Sequence, residues 1–255
     1  AFYFHSGETK DCVIDNFIIQ NGDPSPGDGG AILCSNSSSP TLTNCTFSAN
    51  RADRGGAIHC DSSNPRITNC IFSSNGADWG GAISCSSSSP TITNCTFSGN
   101  SADQQHGGAI YCYFSGPSIT GCSFSNNSAK YEGGAIYYRS STGSVVTGCT
   151  FTGNSADYGG AICCDKSSPS VTNCVFSGNN GPAGGAIYCT SSNPTIVNCT
   201  FSDNTASYGG AIYCGIGNST LNNCILWNNS ASNGSEFYVD SASSTTLNFC
   251  CVDNS

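Results

Sequence analysis

Methionine is absent from the 255 residues, and only 9% of them carry charge. No apolar run is long enough to cross a bilayer as a helix, which excludes membrane insertion by that route. No leader with a basic start and an apolar middle opens the chain, so it is expected to be a processed or excised piece of a longer precursor. Basic residues are scarce as well, seven Lys and Arg against sixteen Asp and Glu, and they are scattered. That balance counts against nucleic acid and anionic lipid as partners. Histidine is limited to His5, His59 and His106, too dispersed for a tetrahedral metal site, and the cysteines lack the close pairing such a site uses. Neither a cofactor nor a metal is expected.

What the chain has in abundance is repetition. A glycine doublet recurs at Gly29, Gly55, Gly80, Gly107, Gly133, Gly159, Gly184 and Gly209, in steps of 25 to 27 residues. A fixed step in that range is the signature of a solenoid. Within one unit, Gly80 to Asp103, apolar residues come in pairs and triples too short for a helical face. Ile83 and Cys85 alternate across one short strand, Ile92 centres a second, and Cys95 with Phe97 marks a third. Ser-rich and Pro-containing breakers, Asn94 and the longer GNSAD loop separate them. Strands this short are stable only if each pairs with its copies in the units above and below, about 4.8 Å away. The pattern therefore predicts an all-β parallel β-helix of about ten rungs, with three short strands per rung.

Aligned copies form columns. Ile32, Ile58, Ile83, Ile110, Ile136, Ile162, Ile187 and Ile212 make one inward ladder. Leu42, Ile67, Ile92, Ile119, Val146, Val171, Ile196, Leu221 and Leu247 make a second, and Phe47, Phe72, Phe97, Phe124, Phe151, Phe176, Phe201, Leu226 and Val252 a third. The glycine doublets fit a turn with positive φ or a close backbone approach. The column Asn44, Asn69, Asn94, Asn173, Asn198 and Asn223 fits a corner at which amide stacks on amide. One domain, 1–255, is expected: a partial first rung over 1–28, regular rungs over 29–233 and a degenerate last rung over 234–255.

The GGAI and FxxN pairs, as at Phe47 to Asn50 and Phe97 to Asn100, resemble the GGA(I/L/V) and FxxN repeats of the chlamydial polymorphic membrane proteins. The stretches Val13 to Gly22 and Asn223 to Asp240 are similar to those of secreted bacterial and archaeal right-handed parallel β-helix repeat proteins. The resemblance covers the whole chain. It implies a right-handed helix and an extracellular or cell-surface location. For function it leaves open a structural subunit, an adhesin or glycan-binding stalk, and a polysaccharide lyase or hydrolase.

Sixteen of the nineteen cysteines fall into two columns. One is Cys34, Cys60, Cys85, Cys112, Cys164, Cys189 and Cys214; the other is Cys45, Cys70, Cys95, Cys122, Cys149, Cys174, Cys199, Cys224 and Cys250. Their spacing allows disulfides across a rung, disulfides between stacked rungs, or ladders of buried thiols filling the core. Cys12 and Cys251 sit near opposite ends, where a bond between chains is a further option.

Catalysis is not expected. The loop column Asp53, Asp78, Asp103 and Asp157 fits turn chemistry better than a calcium or carboxylate site, and no Ser, His and Asp set can be placed. Tyr111, Tyr137, Tyr188 and Tyr213 alternate with the inward isoleucines and form a candidate surface stripe, for cross-strand packing or for glycans as partners. Uncapped solenoid ends expose strand edges that recruit other strands. Eleven residues separate Cys45 from Ala57 but only five follow Cys250, so a second copy starting at Ala1 would continue the spiral in phase. Ala1, Phe2, Tyr3, Phe4, Cys12, Leu247, Cys250, Cys251 and Val252 are the candidate contacts of such a head-to-tail homopolymer. The alternative is a segment cut from a longer β-helix.

Overall fold

The computed structural model describes residues 2–24, 26–241 and 243–253. Each rung gives one strand to each of three ten-stranded parallel sheets. The first sheet runs from Phe2–Phe4 to Phe237–Val239, the second from Val13–Asp15 to Ser243–Asn248, and the third from Ile18–Gln20 to Cys251–Val252. There is no helix among the described residues.

The register is the one the columns require. Ile83 pairs with Ile58 and Ile110, Ile92 with Ile67 and Ile119, and Phe97 with Phe72 and Phe124. A slip of one residue would turn each inward side chain out to water, so burial fixes the pairing. The three ladders fill the core, with Ile83, Ile92 and Phe97 fully buried. Seven phenylalanines from Phe47 to Phe201 stack with centroids 4.7–4.9 Å apart and planes within 9°. That distance is the strand spacing itself, so the backbone ladder sets the stack. Burying each of these side chains contributes roughly 1.5–3 kcal/mol.

The two glycines of a doublet answer different needs. Gly80 has φ of 69°, a left-handed conformation that costs glycine no Cβ clash. A Cβ on Gly81 would lie 2.2 Å from the Gly108 carbonyl oxygen of the next rung. The corner asparagines Asn44, Asn69, Asn94, Asn173, Asn198 and Asn223 all have φ between 53° and 55°. Asn223 Nδ2 donates to Asn198 Oδ1 at 2.8 Å, and Asn198 Nδ2 to Asn173 Oδ1 at 3.1 Å.

The long GNSAD-type segments, read as loops from the sequence, are partly a fourth sheet. Arg51–Arg54, Gly76–Trp79, Ser101–Ala102 and Ser128–Ala129 form one parallel set, and Thr205–Tyr208 with Ser230–Asn233 another. Similar segments stacked at one strand spacing bring their own N–H and C=O groups into ladder distance.

A second asparagine column is buried. Asn75, Asn100, Asn127, Asn154, Asn179 and Asn204 are each fully enclosed. Asn127 shows the pattern: its Oδ1 accepts from Asn100 N and Nδ2 at 3.0 and 2.9 Å, and its Nδ2 donates to Phe97 O and Asn154 Oδ1 at 3.1 and 3.0 Å. The ladder begins at Asn50, whose Oδ1 accepts from Gly22 N. It ends where Asn229 donates to the carboxylate of Glu236, a buried group whose pKa is raised by desolvation.

Candidate functional site

Two parallel columns share the outer face of the first sheet. The strand column reads Leu33, His59, Ser84, Tyr111, Tyr137, Cys163, Tyr188, Tyr213 and Tyr238 from rung to rung. Beside it, the column just ahead of the glycine doublets reads Asp28, Arg54, Trp79, His106, Glu132, Tyr158, Ala183, Tyr208 and Asn233. Side chains of the second column lean over those of the first, and the face divides into three regions.

At the first, the fold gathers a set that the sequence did not reveal. His59 Nε2 lies 3.7 Å from Asp28 Oδ2, and Ser84 is the strand partner of His59. His59 is 3% exposed and Ser84 fully buried, and neither His59 Nδ1 nor Ser84 Oγ has a hydrogen-bond partner. Burial lowers the histidine pKa, against the pull of Asp28. His59 and Ser84 are thus closed to a substrate, Asp28 is half-buried, and the 3.7 Å separation is too long for the orienting bond that nucleophilic catalysis uses.

In the middle region the expected stripe changes character. Tyr111 and Tyr137 do face away from the core, yet they are buried, at 8% and 2% exposure. They pack with Cys163, Trp79 and Tyr188 into a small apolar cluster of their own. The physical reason is the preceding segment: His106 tilts over Tyr137 at 4.9 Å, and its Nδ1 sits 3.0 Å from Glu132 Oε2, though without the alignment of a hydrogen bond. Desolvation raises the pKa of both tyrosines and of Glu132. Only the distal members, Tyr188 and Tyr213, reach the surface.

The third region is an aromatic groove of about 520 Å³. Tyr188, Tyr213 and Tyr238 form its floor, stacked at 4.9 and 5.1 Å with planes 27° apart. Tyr158 and Tyr208 stand across the floor rings at 60° and 74°, and are 42% and 44% exposed. Between them the column holds Ala183, which opens a notch. Tyr213 OH donates to Asp240 Oδ2 at 3.1 Å, and its pKa is pushed up to about 12, first by burial and then by that bond. The Tyr213 hydroxyl, and that of Tyr188, whose pKa burial likewise raises, accordingly stay protonated at neutral pH.

The acidic loop column is elsewhere. Asp53, Asp78 and Asp103 line a shallow depression with Arg51, and Asp157 lies two rungs beyond Asp103. The described residues contain no group of three or more His, Cys, Asp or Glu side chains arranged to hold a metal ion.

All nineteen cysteines are thiols in the structure. In the column from Cys45 to Cys250 the contacts between rungs run along the axis: Cys70 N donates to Cys95 Sγ at 3.4 Å, and Cys95 Sγ to Ile67 O of the preceding rung at 3.7 Å. The Cys199 thiol is pushed up to about 12 by its bond to Cys174, opposed by the one to Cys224, and by burial. Such a thiol is not a nucleophile at neutral pH. The column beginning at Cys34 is interrupted by Tyr138, which pairs with Cys112 and Cys164. Tyr138 is fully buried and its hydroxyl has no partner.

Of the candidate end contacts, Ala1 lies outside the described residues. Phe2, Tyr3, Leu247 and Cys251 are exposed, Cys12, Cys250 and Val252 half-buried, and Phe4 buried.

This architecture defines a class, and the sequence agrees with it. The family model for the right-handed β-helix region matches residues 1–117 and 101–190, so the chain belongs to that family. Residues 198–215 match the repeat of the chlamydial polymorphic membrane proteins. No curated protein and no solved structure matches the chain significantly.

Proposed function

We propose that this chain is a non-catalytic structural rod of the cell surface or extracellular space, and that its end faces stack on those of a second copy to build a filament. One observation carries the reading. Continuing the observed register past the last rung sets Phe2 over Phe237, Phe4 over Val239, Ile14 over Leu247 and Ile19 over Val252. Apolar side chain would meet apolar side chain on all three sheets, and the outer strand edges would gain a ladder partner. The surface setting rests on the likeness of residues 198–215 to a repeat of membrane proteins.

The same register argues against a disulfide between Cys12 and Cys251 in such a stack. Cys251 would meet Ile18, and Cys12 would meet Thr245. The bond drawn from the sequence alone is therefore not part of the proposal.

Sedimentation and negative-stain microscopy of the purified 255-residue chain test the reading. Fibres with an axial repeat of roughly 48 Å are expected, ten rungs at the strand spacing, and Leu247→Asp should abolish them while the β circular dichroism persists. Single particles at every concentration would overturn it. A second reading, an adhesin or glycan-binding stalk within a longer surface protein, is favoured by the chlamydial repeat match. It predicts particles that stay monomeric and bind cells.

A further inference from the structure

The aromatic groove over Ala183 carries an inference of its own. Its two upright tyrosines are two ladder steps apart, because Tyr158 pairs with Ala183 and Ala183 with Tyr208. Two strand spacings are roughly 9.6 Å. One turn of a polyproline II helix spans about 9.3 Å, three residues at 3.1 Å. Residues i and i+3 of such a helix would therefore rest on Tyr158 and Tyr208 in turn, with the intervening turn lowered into the notch at Ala183.

The chemistry of the lining agrees with the spacing. Tyrosine rings and Pro182 offer flat apolar surface, and the remaining polar lining consists of hydroxyls: those of the tyrosines and of Ser207. A polyproline II backbone has no internal hydrogen bonds, and its carbonyls need donors. The Tyr188 and Tyr238 hydroxyls on the groove floor provide them, that of Tyr213 being committed to Asp240. No Asn, Gln, Asp, Glu, Arg, Lys or His lines the groove, so it lacks the forked polar groups that would hold the vicinal hydroxyls of a sugar. A carboxylate stands at its border, Asp240 bonded to Tyr213. It suits a ligand with a basic residue beside its prolines.

The groove is also held in shape before any ligand arrives. Ser207 N and Tyr208 N both donate to Pro182 O, at 3.0 and 3.1 Å, which fixes the second wall to the notch. Preformed aromatic grooves are the usual way in which proline-rich segments are recognised, since a stiff ligand and a stiff site lose little entropy on binding.

We propose that this groove binds a proline-rich segment of another protein, in polyproline II conformation and flanked by a Lys or Arg. The site does not depend on end-to-end stacking, and either could hold without the other.

The test is fluorescence anisotropy of a labelled decaproline peptide with one C-terminal arginine, titrated with the full chain. Saturable binding is expected. Ala183→Tyr, which only extends the tyrosine column of its neighbours, should weaken it at least tenfold by filling the notch. Tyr208→Ala should do the same by removing a wall, and Tyr131→Ala, outside the groove, should leave it unchanged. Circular dichroism reports whether each variant keeps the fold. Absence of saturable binding by the unmodified chain would overturn the proposal, and so would binding that survives Ala183→Tyr. Displacement of the peptide by a neutral β-glucan hexasaccharide at equal or lower concentration would assign the groove to glycans instead.

Discussion

Single residues in this protein matter through the column they occupy. Tyr138 stands where its neighbours above and below are Cys112 and Cys164, and burial leaves its hydroxyl without a partner. Taking a hydroxyl out of water unpaired costs about 1–3 kcal/mol. Tyr138→Phe keeps the ring and removes that cost, so it should raise the unfolding free energy by about 1–2 kcal/mol, read from urea denaturation. An unchanged or lower midpoint would mean that the hydroxyl has a partner in solution. The two thiol columns are the bland neighbours of this residue: burial makes their members small core fillers, and those from Cys45 to Cys250 also donate weakly to backbone carbonyls. Reading the sequence left disulfide and thiol ladders open because both fit the same spacing. The direction of the Sγ contacts along the axis, not across the rung, depends on side-chain rotamers that spacing does not reveal.

At the level of the element, the strands are too short to be stable by themselves and the columns between them carry the specificity. The buried asparagine ladder is the clearest case. Asn127→Ala would orphan Asn100 N and one hydrogen of Asn100 Nδ2 at once. The loss should be on the order of 3–5 kcal/mol, two unmet buried donors at about 1–3 kcal/mol each, visible as a large drop in the thermal midpoint. A loss below about 1 kcal/mol would mean that water replaces the amide. The sequence did contain this ladder, as the Asn of FxxN, but without geometry it looked like a family motif beside the more conspicuous corner column at Asn44 and Asn94. The outer face was less legible still. That Asp28, His59 and Ser84 meet, and that Tyr111 and Tyr137 are covered, follows from two columns leaning on one another. The alternation of one strand predicts only which side a residue faces, not what folds over it.

For the whole molecule, the repeat told most of the story: a step of 25 to 27 residues, three inward ladders and the doublets fix ten rungs in register. Because each rung bonds only to its two neighbours, stability is close to a sum over rungs and their interfaces. Deleting residues 81–107, one period from the second glycine of one doublet to the first of the next, should therefore leave a folded protein. Its urea m-value should fall by roughly a tenth, in proportion to the surface buried. A deletion variant that fails to fold cooperatively would show that the ladders demand the complete set. What the repeat did not reveal is the fourth, partial sheet, since the segments that build it vary in length and composition from rung to rung.

The reach of those contacts has one more consequence. Side-chain hydrogen bonds between rungs join residues 25 to 31 positions apart, from the first asparagine to the last. A chain threaded through a narrow pore, one end first, would thus need only its most recently delivered thirty or so residues to complete each coil. Every coil finished on the far side would bar the chain from sliding back, so that folding itself would act as a ratchet on its passage.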